Sequence, residues 1–242
     1  MSWQAPSEAK ILQVVDGTWP AARYFKSGPF ILRLGQGGGQ RVSAASANGS
    51  ATAGDIAEAE TEMRDINQAR LFMITSKDAA LDQDLDARGY KIKDPVTMFA
   101  APIETLASRD EKGLTVSRAD APLEIMKDIW AAGGIEQGRL DVMARASGPK
   151  TFLIGRLGDQ PVGAAFVAIH GETAMLHALE VQPTARRNGL GLSMTAGAAA
   201  WAADLGAKTF SLIAVTNNTA ACGLYRHLGM TEVGHYHYRK KD

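Results

Sequence analysis

The run Leu179-Glu180-Val181-Gln182-Pro183-Thr184-Ala185-Arg186-Arg187-Asn188-Gly189-Leu190-Gly191 constrains this chain more than any other stretch. It leaves a strand, turns through Pro183, passes two arginines and enters a helix through two glycines. Leu190, Met194, Ala198, Trp201 and Leu205 then recur at helical spacing on one face. Glycines there let backbone N–H groups approach a phosphate, and the helix N-terminus adds partial positive charge. Arg186 and Arg187 supply charge-assisted bonds to a pyrophosphate in this reading. Taken alone, the run is equally a strand-to-helix turn with solvated arginines. A dinucleotide fingerprint fits poorly. Its third glycine falls on Met194, and the next strand ends at Val215-Thr216-Asn217-Asn218 without a carboxylate.

Composition narrows the function classes. The chain has 242 residues, and its 26 basic and 26 acidic side chains cancel. That balance argues against nucleic acid or an anionic membrane as partner. A single cysteine, Cys222, rules out an intrachain disulfide and a cysteine-based zinc site. No apolar stretch is long enough to span a bilayer, and the N-terminus lacks the pattern of a signal peptide. The expectation is a soluble, cytoplasmic protein, monomer or homodimer.

Strands and helices alternate on both sides of a polar linker at 108–113 that ends in glycine. Phe30–Leu34 and Arg41–Ala45 read as strands around a flexible glycine-rich hairpin connection, Gly35 to Gln40. A helix follows over 55–67, then a buried strand at 71–75, a helix over 79–88 and an extended run over 90–99. After the linker come a strand (114–118), two helical stretches and three strands (151–157, 161–169, 173–181). The 190–205 helix, a strand (209–215), a helix (219–228) and a last strand (230–238) complete the chain. The two parts read as a diverged repeat. Phe30–Gly35 resembles Phe152–Gly158, and Leu85–Tyr90 resembles Tyr225–Met230. The first copy is shorter where the second carries its glycine-arginine turn.

One helix and one strand beyond that turn lies Asn217-Asn218-Thr219-Ala220-Ala221-Cys222-Gly223-Leu224-Tyr225-Arg226-His227-Leu228-Gly229-Met230. Together the two segments resemble the GNAT superfamily of acetyl-CoA-dependent N-acetyltransferases. Arg186, Gly189 and Gly191 match its pyrophosphate loop. Asn218, Ala221, Leu224, Tyr225, Gly229 and Met230 match its later helix motif. The resemblance implies an α/β (α+β mixed sheet) acyl-CoA N-acyltransferase (GNAT) fold. Residues 1–112 would be a degenerate copy and 113–242 the complete, catalytic one.

The same resemblance implies direct attack of a primary amine, on a small molecule, amino acid or peptide N-terminus, upon acetyl-CoA. The strand would splay near Glu180 and free its backbone for the pantetheine, with amides at Leu179 and Val181 polarising the thioester. Residues Arg186, Arg187, Asn188, Gly189, Leu190 and Gly191 would hold the pyrophosphate, and Asn218 the cofactor arm. Tyr225 matches the usual general acid. His177 shares a strand face with Leu179 and Val181 by alternation, and the resemblance makes it the leading base, since some family members carry a histidine there; a buried structural histidine is the competing reading. Glu180 is the runner-up base, placed on the other face unless a bulge rotates it. No metal is expected, His235 and His237 reading as a solvated strand face and Cys222 as packing. Trp130, Glu136, Arg139 and Arg145 are possible acceptor-pocket residues. A non-catalytic acyl-CoA-binding module remains the alternative function.

Overall fold

The computed structural model describes residues 3–107 and 114–241. The expected linker at 108–113, and with it the boundary between 112 and 113, lies outside the described residues. The first half runs α1 (Glu8–Thr18), β1 (Arg23–Ser27), β2 (Phe30–Leu34), β3 (Ala45–Ala47), α2 (Ala53–Asp65), β4 (Arg70–Thr75), α3 (Ala79–Ala87), β5 (Lys91–Pro102) and α4 (Ile103–Ala107). The second opens with β6 (Leu114–Ala119), α5 (Glu124–Ala132), α6 (Gln137–Arg145), β7 (Lys150–Leu157), β8 (Gln160–His170) and β9 (Thr173–Val181). It continues with α7 (Leu190–Asp204), β10 (Thr209–Val215), α8 (Thr219–His227) and β11 (Thr231–Lys241).

All these strands join one mixed sheet in the order β1-β2-β3-β4-β11-β5-β10-β9-β8-β7-β6. Only β3–β4 and β9–β10 pair in parallel. Apart from the extra edge strand β6, the order reads alike from either side of the β11–β5 seam. Each half inserts its last strand between the last two strands of the other: β11 between β4 and β5, and β5 between β10 and β11. The registers repeat this symmetry. Thr231 pairs with Ala100 and Lys240 with Lys91, while Phe210 faces Ala101 and Lys241 faces Arg70. The cores therefore cross the chain's midpoint. Phe99, Ala101 and Leu106 of the first half pack with Met194, Phe210, Leu212 and Tyr225 of the second.

The symmetry corrects the repeat as read from sequence. The counterpart of β2 is β8, and that of β7 is β1, so Phe30–Gly35 and Phe152–Gly158 are not equivalent. Short apolar runs look alike whichever strand they build. The match around Gly89 and Gly229 holds, since both follow equivalent helices, α3 and α8. Residues Arg41–Ala45 are not a strand either. Gln40–Val42 form a 3-10 turn, and the strand is only Ala45–Ala47.

Helix α1 carries no sequence motif, yet it is tied in firmly. Ser7 caps it by accepting from Lys10 N at 3.2 Å. Ile11, Val14 and Val15 bury against Met98, Met175 and Tyr236, each worth about 1.5–3 kcal/mol. Among the described residues, no helix is long and apolar enough to cross a membrane.

Candidate active site

Strand β9 parts from β10 where the sequence places its chemistry. The two pair only over Thr173–Leu176 against Thr209–Leu212, while β10 runs on beside β5 to Val215. Beyond Leu176 one backbone edge of β9 is thus open. The opening coincides with a bulge. The β8 register shifts between Ala164 and Phe166, and Ala178 takes a positive φ of 51°. Trp130, wholly buried, fixes the bulge by donating from Nε1 to Ala178 O at 2.8 Å.

The extra residue rotates the remainder of the strand. Glu180 lands on the His177 face, where its carboxylate packs over Gly133 at the end of α5. Leu179 and Val181 turn to the opposite face and pack against the α7–α8 core. The alternation expected from sequence, with His177 beside Leu179 and Val181, is reversed by that one residue.

The turn between β9 and α7 forms a cradle of backbone donors. Arg187 and Gly189 both adopt positive φ, 67° and 80°, and no side chain caps α7. Among the described residues, the N–H groups of Arg187, Asn188, Gly189, Leu190, Gly191 and Leu192 have no acceptor. Unpaired donors at a helix start are a ready anion site. Arg186 does not join them. Its Nη2 bonds Glu180 Oε1 at 3.0 Å and its Nε bonds Val181 O at 3.0 Å, so it braces the turn onto β9. Asn188 closes the turn through Nδ2, on Ala185 O and Arg186 O. Arg187 stays exposed. Gly189→Val is expected to weaken acetyl-CoA binding by at least ~2 kcal/mol in calorimetry, because a β-branched residue resists positive φ. Its melting temperature should fall by only a few degrees, because the strain is confined to one residue of an exposed turn. Unchanged affinity would remove the turn from the binding site.

The first half shows the contrast. The corresponding helix, α2, has its N-terminus filled by its own Asp55, whose Oδ2 accepts from Thr52 N at 2.7 Å. The Thr52 hydroxyl and N–H hold that carboxyl below the usual carboxylate range. An anion arriving there meets a charge already in place.

Helix α8 starts at Asn218, whose Oδ1 caps it by accepting from Ala221 N at 3.1 Å. Cys222 is buried, with Sγ 3.8 Å from Val215 O and Thr216 O. Tyr225 packs its ring on Phe99, centroids 5.6 Å apart. Burial, and to a lesser degree Cys222, push its pKa well up, so the phenol keeps its proton at neutral pH. At neutral pH its hydroxyl is a protonated donor with no hydrogen-bond partner among the described residues. His235 and His237 do not converge: His237 bonds Asp82 at 2.8 Å, and His235 lies 3.7 Å from Glu232.

His177 is held from both sides. Arg41 has only protons to give, so Nδ1 accepts from its Nη1 at 3.3 Å. Nε2 then carries the ring proton and donates it to Thr18 Oγ1 at 2.9 Å, and that hydroxyl donates to Val14 O at 2.7 Å. Trp19 stacks on the ring at 4.9 Å. Neither nitrogen is left for a substrate. Burial and the nearby Arg41 charge depress the pKa well below its ordinary value, so the folded ring stays neutral. Above pH ~6.5 the residue is neutral in both states and does not make stability depend on pH. As pH falls below ~6.5 the unfolded chain takes up a proton that the folded ring refuses, at ~1.4 kcal/mol per pH unit. Between pH 7 and 5.5, urea titrations should show the wild type losing about 1 kcal/mol more than His177→Gln. Equal losses would mean that His177 charges freely in the fold.

A cleft of about 450 Å³ opens beside the splay, walled by Ala178, Ile213 and Val215 of the second half and by Trp19, Arg41 and Asp94 of the first. Of the four residues suggested for an acceptor pocket, only Arg139 lines it. Trp130 holds the bulge, Arg145 donates to Pro20 O at 3.3 Å, and Glu136 is exposed at the start of α6. Sequence reasoning missed Trp19, Arg41, Tyr236 and Tyr238, which the strand exchange brings here from distant segments.

The fold is shared with known proteins. Residues 120–230 match the model of the Acetyltransferase (GNAT) family. No curated protein matches the chain. Among solved structures, a GCN5-related N-acetyltransferase from Kribbella flavida superposes with a TM-score of 0.72 at 20% identity, covering 98% of this chain and 97% of that one. A functionally unknown conserved protein from Staphylococcus epidermidis gives 0.70 at 12% identity, over 93% and 95%. A tandem GNAT protein from the clavulanic acid biosynthesis pathway gives 0.61 at 12% identity, over 88% and 77%. These likenesses show the fold, and the family match adds the chemistry it implies, acyl transfer from acyl-CoA. Residues 120–230 of this chain are a GNAT-family acetyltransferase domain, set in a GNAT fold.

Proposed function

We propose that the protein transfers the acetyl group of acetyl-CoA to a primary amine by direct attack in a ternary complex. The observation that carries this reading is the adjacency of an unpaired N–H cradle and an open strand edge. Pyrophosphate suits the donors of Arg187 to Leu192, and pantetheine suits the β9 edge as an added strand. Asn218 and the exposed Arg187 flank the cofactor arm, while Arg186 shapes the turn. Amides at Leu179 and Val181 stabilise the oxyanion as the amine nitrogen bonds the acetyl carbon. The C–S bond then breaks, and Tyr225 gives its proton to the departing thiolate.

The amine must shed a proton. His177 has both nitrogens engaged, so of the two expected bases we assign the role to Glu180, directly or through water. Its Oε2 has no hydrogen-bond partner among the described residues. Tyr225 separates this enzyme from a module that only binds acyl-CoA, which has no use for a proton donor. Thiol release from acetyl-CoA across a panel of amines tests the reading. Amine-dependent release supports it; acetyl-CoA binding without release from any amine would leave a binding module.

A further inference from the structure

We propose that the acceptor is an amine that also carries a carboxylate, and that Arg41 is the residue that binds it. This rests on the acyl-transfer reading above and specifies its second substrate.

Arg41 is positioned deliberately by the fold. The glycine run that reads as a flexible hairpin connection is closely packed instead. A Cβ at Gly38 would lie 2.5 Å from Val142 of α6, and one at Gly138 would lie 2.5 Å from the Gly37 carbonyl. Gly39, at φ 92°, then turns the chain into the 3-10 turn that carries Arg41 inward. There the guanidinium lies 5.9 Å from the Trp19 ring centroid and bonds His177 Nδ1. The hydroxyls of Tyr236 and Tyr238 stand beside it.

None of those neighbours is an anion. Among the described residues no carboxylate lies within ion-pair distance of Arg41, although Arg33 is paired to Asp16 at 3.1 Å. The Arg41 Nε is buried with no hydrogen-bond partner. Arg41 is half-buried at the cleft wall, and a cation partly withdrawn from water without a counter-charge is costly; a neutral imidazole and two phenols repay only part of that. The missing partner is a negative group that enters with the substrate. A carboxylate matches the guanidinium fork, and the Tyr236 hydroxyl, which accepts from the Tyr238 hydroxyl at 3.4 Å, can donate to it as well.

The location agrees. Arg41 lines the same cleft as Ala178, Ile213 and Val215, which border the splay where the thioester is to lie. The other charged groups of the lining are Arg139 and Asp94. Two cations and one carboxylate suit a small molecule bearing both an acid and an amine, with Asp94 as complement to the ammonium end. His177 is a positioning residue in this scheme, since its neutral Nδ1 orients Arg41.

The test is acetyl transfer to matched pairs: free α-, β- and γ-amino acids against their carboxamides, with acetyl-CoA binding followed separately by calorimetry. At least one free acid should be acetylated with kcat/KM about 30-fold or more above its amide. In Arg41→Gln, KM for that acid should rise about as much, with KM for acetyl-CoA unchanged. Arg41→Lys keeps the charge and should retain part of the acid preference, which a purely structural arginine would not grant. The wild-type comparison stands even if Arg41→Gln fails to fold. Equal rates on acids and amides, transfer only to uncharged amines, or bound acetyl-CoA with no transfer to any acid would overturn the inference. Absent acetyl-CoA binding would overturn the acyl-transfer reading and this one with it.

Discussion

Produced as separate chains, residues 1–112 and 113–242 are expected to lack a cooperative unfolding transition, and to regain one when mixed. Each half's last strand lies between the last two strands of the other. Alone, the first half leaves the β4 edge bare over Arg70–Thr75, where β11 supplies Tyr236 to Lys241. It also exposes Val96, Met98 and Ala100, which are buried against the second half. A charged anchor goes too: Arg239 of β11 bonds Asp82 at 2.7 Å and Asp86 at 2.6 Å. An unpaired apolar edge of this kind invites aggregation. Circular dichroism melts and urea titrations of each half, then of the equimolar mixture, report the outcome. A sharp transition in either half alone would show that the exchange is not needed for folding.

Tyr225→Phe should lower kcat by roughly 10²-fold or more while KM for acetyl-CoA moves little. The ring and its contact with Phe99 remain; only the hydroxyl is lost. Such a fall is worth about 2.7 kcal/mol of transition-state stabilisation. A thiol with a pKa near 8.5 is already a fair leaving group, which sets the lower end of the expected loss. Steady-state rates, with melting temperature alongside, decide the matter. A variant with wild-type kcat and a normal melt would make Tyr225 a packing residue.

Local chemistry was legible in the sequence where a backbone conformation demands particular residues. The turn from Pro183 to Gly191 needs glycine at positive φ, and α8 needs a capping side chain at Asn218; both left their mark. The splay was expected from the family resemblance alone, near Glu180, and it begins after Leu176. A bulge entered only as the condition that would rotate Glu180, because Ala178 carries no residue signature for its positive φ, and so the faces of Leu179, Glu180 and Val181 came out reversed. The strand exchange left no trace either. β5 and β11 have the same apolar pattern whichever neighbour they pair with, and pairing partners are a property of topology. Arg41 illustrates the consequence: a lone arginine after a glycine run gains meaning only once β11 and β9 are folded around it.

The central claim is amine-dependent transfer through a ternary complex at the β9 splay. Its most direct test is initial velocity with acetyl-CoA and an amine acceptor both varied. Thiol should appear only when the amine is present, and the double-reciprocal lines should intersect. Parallel lines, signalling an acetylated enzyme, or thiol release indifferent to amine, would contradict the account.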